Sequence, residues 1–290
     1  MLEIGWVFTN DGTAFIDAAL DFLGEDPIGN TVILGIAVQL TDSPREARPE
    51  DCYGWWRDAQ GTVQAAFIAQ APGAVTLSAR VPRQAAAELP TAWIGSGRAR
   101  PVGVFGQVET AERIIADWAA RTGDAYRAKP HFSLRLFSLD EPTPPDPAPR
   151  GESRLATPDD VGLSASWDLA FRTECGADQP ANAEAFARRR IEAGLDMLWT
   201  VDGEPVAVAR YGPIVVDTTR IWGVYTPPRH RRHGYAAGVT WAVTQEAQAH
   251  GAKHVLLFTD LSNPTSNSVY QRLGYRAICD VTEFEFTDRH

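Results

Sequence analysis

The apolar positions of the second half switch repeatedly between helical and strand periodicity. Thr157-Pro-Asp-Asp160 supplies a cap, a first-turn proline and acidic residues, so a helix is predicted through Trp167, Leu169, Ala170 and Phe171. Asn182 to Ala193 reads as a second helix closed by Gly194. Leu198 to Val201 and Val206 to Tyr211 are β-prone runs on either side of Asp202-Gly203, a hairpin signal. A further strand is predicted at Ile221 to Thr226, with Asp217-Thr218-Thr219 as the turn before it. From Gly234 to about His250, Val239, Ala242, Val243 and Ala247 recur at helical spacing, and Gly251 ends the helix. Val255 to Phe258 is apolar throughout, as in a strand covered on both faces. Strand, helix and strand in this span imply a right-handed parallel crossover.

The first half echoes this order faintly. A helix is expected over Asp11 to Leu23, strands at Val63 to Gln70 and Ala74 to Ala79 around Pro72-Gly73, and a strand at Val102 to Phe105. Glu109 to Arg121 reads as helix and His131 to Leu139 as extended. Aligned on the strand at Val102 to Phe105, the echo puts Glu109 and Glu112 where the second half has arginines. Carboxylates there repel phosphate, so no nucleotide site is expected in this half. Between the halves, Asp140 to Arg150 is rich in proline and reads as an extended linker. The expected division is 1–140, a linker at 141–152, and 153–290.

Composition narrows the partners. The chain has 290 residues, 44% of them hydrophobic and 22% charged, which is globular composition with a sizeable core. A formal charge of −10 argues against nucleic-acid binding, which rests on many Lys and Arg facing phosphates. The three cysteines, Cys52, Cys175 and Cys279, form no close pair and no metal-ligand spacing, so no metal and a reduced, cytoplasmic setting are expected. Neither a signal-like segment nor an apolar run of about 18 residues occurs, so no membrane association is expected.

Against that acidic background, Arg229-His-Arg-Arg-His233 stands out, placed between two prolines and Gly234. A helix N-terminus presents unpaired N–H groups and partial positive charge, so a basic loop in front of one suits a phosphate-bearing cofactor. A solvated basic turn is the simpler reading of the cluster alone. A second segment, Asp260 to Tyr275, predicts a helix beginning near Asn263-Pro264 and ending at Gly274.

Together the Val-Tyr-Thr strand, Arg231-x-x-Gly234-x-Ala236, the asparagine seven residues before Tyr270 and the closing Leu-Gly-Tyr275 resemble the GNAT superfamily of acyl-CoA-dependent N-acyltransferases. The resemblance covers about residues 153–290. It implies an α/β fold with a mixed sheet and a β-α-β acyl-CoA-binding core, and its tandem members suggest a degenerate GNAT-like domain over the first half. It implies an acyl-CoA donor, read first as acetyl-CoA, with an acyl group larger than acetyl as the alternative. Val224, Tyr225 and Thr226 would pair with the pantetheine arm, and Arg231, Arg232, His233, Gly234, Tyr235, Ala236 and Ala237 would surround the pyrophosphate. Asn263 would contact the cofactor arm, and Tyr270 would be the general acid. The family loop usually carries glycine between its basic residues, where this chain has Arg232.

For a general base, Glu174 is the candidate, with Glu283 and Glu285 on the last strand behind it. Each carboxylate is also readable as a solvated surface group. Trp199, Trp222 and Trp241 read as core. The acceptor would be a small-molecule or peptide amine and the protein a monomer or homodimer. The other reading is a catalytically silent acyl-CoA-binding sensor or scaffold.

Overall fold

In the computed structural model the described residues are 4–42, 48–71, 73–122 and 126–288. They divide into two units, residues 1–136 with 278–290, and residues 137–277. The last strand therefore contributes residues 278–288 to the first unit, while the proline-rich stretch belongs to the second.

The first unit holds β1 (Gly5–Thr9), α1 (Gly12–Gly24), α2 (Thr31–Asp42), β2 (Cys52–Arg57), β3 (Val63–Ala69), β4 (Val75–Leu77), α3 (Arg83–Gly95), β5 (Gly103–Gln107) and α4 (Val108–Thr122). It also takes residues 126–136 of β6 (Tyr126–Leu139). Asp11 caps α1 by accepting from the N–H groups of Thr13 and Ala14, so the expected helix begins where its cap residue puts it. β1, β2, α2 and α3 were not among the expected elements; α3 runs through Pro90 and hides its helical pattern there. Pro72 of the expected turn lies outside the described residues. β4 and β5 are parallel, with Val75 opposite Val104 and Thr76 opposite Phe105, so α3 is the crossover helix of this unit. The core of this unit gathers Phe67, Leu89, Trp93, Ile114 and Trp118.

The second unit holds β7 (Glu152–Leu155), α5 (Val161–Cys175), α6 (Ala183–Glu192), β8 (Asp196–Val201), β9 (Glu204–Tyr211), β10 (Thr218–Tyr225), α7 (Tyr235–Ala249), β11 (His254–Asp260) and α8 (Pro264–Arg272), and opens β12 (Tyr275–Asp288). Its sheet runs β7-β8-β9-β10-β11 and then the last residues of β6. β10 and β11 are parallel and the other named pairs, β7 with β8, β8 with β9 and β9 with β10, are antiparallel.

Sequence chemistry accounts for the boundaries. Thr157 and Asp160 form a capping box in front of α5, Asn182 caps α6 through the Ala185 N–H, and Asp202-Gly203 turns with both φ values positive. The turn before β10 sits one residue early, at Val216 and Asp217, which adopt positive φ; Thr218 and Thr219 already belong to the strand. Val239, Val243 and Ala247 on α7 are fully buried against Ala207, Val255 and Leu257, the stripe that helical spacing predicts. Each such valine stabilises the unit by about 2 kcal/mol. The proline-rich stretch is extended and anchored: Thr143 N–H donates to the Leu273 carbonyl at 3.1 Å, and Trp199 Nε1 to the Arg150 carbonyl at 2.9 Å.

Candidate functional site

The site is built on a fault in the sheet of the second unit. β10 pairs with β11 only from Thr218 to Ile221, opposite His254 to Leu257, although both strands run on, to Tyr225 and to Asp260. On its other flank β10 pairs Trp222 with Arg210 and Tyr225 with Val208, so Gly223 and Val224 together face one residue, Ala209. That two-against-one arrangement is a β-bulge, which turns strand backbone away from the ladder. Beyond Ile221 the two parallel strands leave a notch whose β10 side is Trp222 to Tyr225.

Past β10 the chain makes a one-turn helix at Pro228–His230 and enters the basic loop. Arg232 has φ +65° and Gly234 has φ +78°. Arg232 therefore takes the left-handed conformation that glycine adopts at no steric cost, which an arginine pays for with about 1–2 kcal/mol. Arg232 stands where the resemblance led one to expect a glycine. Gly234 then opens α7 without a side-chain cap. Among the described residues, the N–H groups from Arg232 to Ala237 have no protein acceptor, and the first bonded one is Gly238, to the Gly234 carbonyl at 3.1 Å. Unpaired N–H groups on a left-handed turn and a helix N-terminus form an anion cradle. His233 stacks on Tyr235, with ring centroids 5.4 Å apart. Burial, aided by Arg229, holds His230 below the ordinary histidine range, and Arg229 Nε donates to its Nε2 at 2.9 Å.

Arg231 turns away from the cradle. Its Nη2 donates to both Glu174 carboxylate oxygens, at 2.8 and 2.7 Å, and its Nε to the Thr226 carbonyl at 2.9 Å. The Tyr225 hydroxyl donates to Glu174 Oε1 at 3.3 Å, and burial followed by the Glu174 charge raises the Tyr225 phenol above its usual range. Glu174 is thus an ion-paired anchor at the end of α5. Glu283 and Glu285 lie in the first unit, where Glu285 meets Lys129 at 3.3 Å.

On the β11 side, Asn263 spends its side chain as the cap of α8, accepting from the Ser266 N–H at 3.0 Å. Asn267, one turn on, donates to the carbonyls of Asp260 at 3.0 Å and Asn263 at 2.7 Å. Its Oδ1 is buried without a partner, as is Thr226 Oγ1 just past β10. A buried acceptor left unmade costs about 1–3 kcal/mol, so both oxygens suit a bound group with donors. Sequence reading passed over Asn267; a second amide one helical turn after a helix-capping asparagine was the available signal. Tyr270, on the same helix as Asn267, is buried, its ring edge-on to Tyr275 at 6.2 Å, and burial pushes its phenol up to about 12. Its hydroxyl has no hydrogen-bond partner among the described residues.

Beneath the bulge lies a cluster of charged residues. Asp196 accepts from Arg190 Nε at 3.0 Å on one oxygen and from Arg210 Nε at 3.2 Å and the Ser164 hydroxyl on the other. Arg210 is fully buried, and burial pulls its pKa below the ordinary arginine range against the opposing charge of Asp196. Trp222 is half-buried under the guanidinium groups of Arg190, at 5.3 Å, and Arg210, at 5.6 Å, so it is a platform for cations and not a core residue. Trp199 and Trp241 are partly buried against the core. Among the described residues no group of three or more His, Cys, Asp or Glu is placed to hold a metal ion, and no helix is long and apolar enough to cross a membrane.

A bulged strand, a notch between two parallel strands and unpaired N–H groups at the start of the next helix thus lie in succession along the chain. Residues 164–275 match the family model described as the acetyltransferase (GNAT) family, so the chain carries a GNAT domain in its second half. Among solved structures, a GNAT-family acetyltransferase from Colwellia psychrerythraea aligns with TM-score 0.63 at 12% identity, over 98% of this chain and 100% of that one. A GCN5-related N-acetyltransferase from Sphaerobacter thermophilus aligns with TM-score 0.60 at 15% identity, over 99% and 97%. A tandem GNAT protein from the clavulanic acid biosynthesis pathway aligns with TM-score 0.55 at 15% identity, over 99% and 98%. At these identities the likeness is one of fold, and it extends over both halves. No curated protein matches the chain.

Proposed function

We propose that the second unit is an acetyl-CoA-dependent N-acetyltransferase and that the first unit is a GNAT-like partner domain without a cofactor site of its own. The observation that carries this reading is the notch after Ile221, which adjoins a cradle of unpaired N–H groups from Arg232 to Ala237. The pyrophosphate is assigned to the cradle, and the pantetheine arm to the backbone of Val224 and Tyr225 in the notch. Thr226 Oγ1 and Asn267 Oδ1 are its side-chain acceptors for pantetheine N–H or hydroxyl groups, with Asn263 holding the start of α8 in place.

The thioester carbonyl then lies beside the bulge. An acceptor amine attacks the carbonyl carbon, a C–N bond forms, the carbon–sulfur bond breaks, and negative charge gathers first on oxygen and then on sulfur. A bulge N–H meets the first charge. Tyr270 meets the second by donating its hydroxyl hydrogen bond to sulfur. Full proton transfer from a phenol at about 12 to a thiolate of pKa about 8.5 is uphill by roughly 5 kcal/mol, so the phenol stabilises the leaving thiolate mainly as a hydrogen-bond donor. The attacking amine gives up its proton to water, because Glu174 is held by Arg231.

The test is release of free thiol from acetyl-CoA with a panel of polyamines, aminoglycosides, amino acids and peptide N-termini, with acetylated product identified by mass spectrometry. Amine-dependent release is expected. Binding of acetyl-CoA with no acetylated product across the panel would favour the silent sensor.

A further inference from the structure

The bulge that faces the notch does not hold its shape by strand pairing, because Gly223 and Val224 have only Ala209 opposite them. What fixes it is a side chain. Arg210, fully buried on β9, donates from Nη1 to the Gly223 carbonyl at 2.9 Å. The rest of the guanidinium is committed elsewhere: Nε to Asp196 Oδ2 at 3.2 Å and Nη2 to the Ser164 carbonyl at 3.1 Å. Asp196 is itself held by Arg190 and Ser164, so the group that grips Gly223 is anchored by α5, α6 and β8. Gly223 has φ +59°, and a Cβ there would stand 2.6 Å from Arg210 Nη1, so the residue type and the arginine require each other.

A trans peptide is planar, with its C=O and N–H pointing in opposite directions. The Gly223 carbonyl points to the Arg210 guanidinium, so the N–H of Val224 points away from it, and no pairing with β11 engages that N–H beyond Ile221. We infer that Arg210 is a positioning residue for acyl transfer: by holding the Gly223 carbonyl it aims the Val224 N–H at the thioester oxygen. This rests on the acetyl-CoA reading of the notch. A fully buried arginine is costly to desolvate and a well-packed apolar side chain serves stability as well, so the fold alone does not call for one here. A charge-assisted bond to a carbonyl is stronger than a neutral one and sets the peptide orientation firmly.

The experiment is isotope-edited infrared spectroscopy of acetyl-CoA, labelled with carbon-13 at the thioester carbonyl and bound to the full chain. In the wild-type protein the carbonyl stretch is expected below its solution frequency, as a hydrogen bond to oxygen weakens the C=O bond. In Arg210→Lys, with folding checked by circular dichroism and acetyl-CoA affinity by calorimetry, at least half of that lowering is expected to vanish while affinity changes less than threefold. An unchanged lowering in the folded variant overturns the inference and leaves the acetyl-CoA reading standing. Failure of the wild-type protein to bind acetyl-CoA overturns both. Should Arg210→Lys not fold, Asp196→Asn, which loosens the anchor and keeps the guanidinium, replaces it; partial loss of the lowering supports the inference, and none contradicts it.

Discussion

The two parallel crossovers of this chain, β4-α3 and β10-α7, share a topology and differ in everything a ligand would touch. β4 pairs with β3 in unbroken register, Phe67 with Leu77, Ile68 with Thr76 and Ala69 with Val75. β10 has a bulge. In the loop after β4 the Ala79 N–H is consumed by the Asn30 side chain at 2.7 Å, and Pro82 at the N-cap has no N–H to offer. In the loop after β10 two left-handed residues leave consecutive N–H groups free of protein acceptors. Leu77 packs so closely on Gly106 of β5 that a Cβ at Gly106 would lie 3.0 Å from it, whereas no pairing closes the gap between β10 and β11 beyond Ile221. The fold supplies a place for a site; the bulge, the glycine and the unspent donors determine whether the place is used.

The sharpest way to break this contrast is to put a carboxylate in each loop. Gly234→Asp imposes a left-handed side-chain residue and a negative charge at the cradle, and is expected to weaken acetyl-CoA binding on the order of 100-fold, or roughly 3 kcal/mol, by calorimetry. Arg80→Asp, in the loop of the first unit, is expected to leave that affinity unchanged. Next in size, Tyr270→Phe is expected to lower kcat roughly 10- to 100-fold with little change in acetyl-CoA affinity, measured with an amine that the panel identifies. An unaltered kcat with chemistry rate-limiting removes the phenol from the reaction. Smaller still, Arg231→Ala is expected to weaken acetyl-CoA binding less than tenfold, because that arginine is committed to a half-exposed pair with Glu174 and not to the cradle. Last, the phenol of Tyr270 ionises only at about 12, so it stays protonated through the range where an ordinary tyrosine titrates. The Tyr270-dependent part of kcat, wild type against Tyr270→Phe, is expected to remain constant from pH 9 to about 10.5.

Much of the second unit was legible in the sequence because its signals are local. Caps at Thr157 and Asn182, the Asp202-Gly203 turn and the Val239, Val243, Ala247 stripe each act within a few residues, and the elements stand within a few residues of where those signals put them. The first unit was read one crossover out of register. Pro82 and Pro90 break the pattern of α3, so the strand-and-helix signal that stands out in the sequence is that of β5 and α4. Glu109 and Glu112 consequently belong to the helix after the second parallel strand, and the loop that matches the basic one carries Arg80. Two features of the site depend on partners distant in sequence and left no local trace. Glu174 reaches Arg231 across 57 positions, and Arg210 reaches Gly223 through a guanidinium that looks from the sequence like one more polar residue on a strand. The exchange of residues 278–288 into the first unit was equally invisible, since a strand does not record in its own sequence which sheet edge it completes.

The difference between the two crossovers is tested most directly by the stoichiometry of acetyl-CoA binding to the full chain in a calorimetric titration. One molecule per chain, with binding weakened on the order of 100-fold in Gly234→Asp and kept in Arg80→Asp, is the predicted result. Two molecules per chain, or binding that survives Gly234→Asp undiminished, would contradict the account.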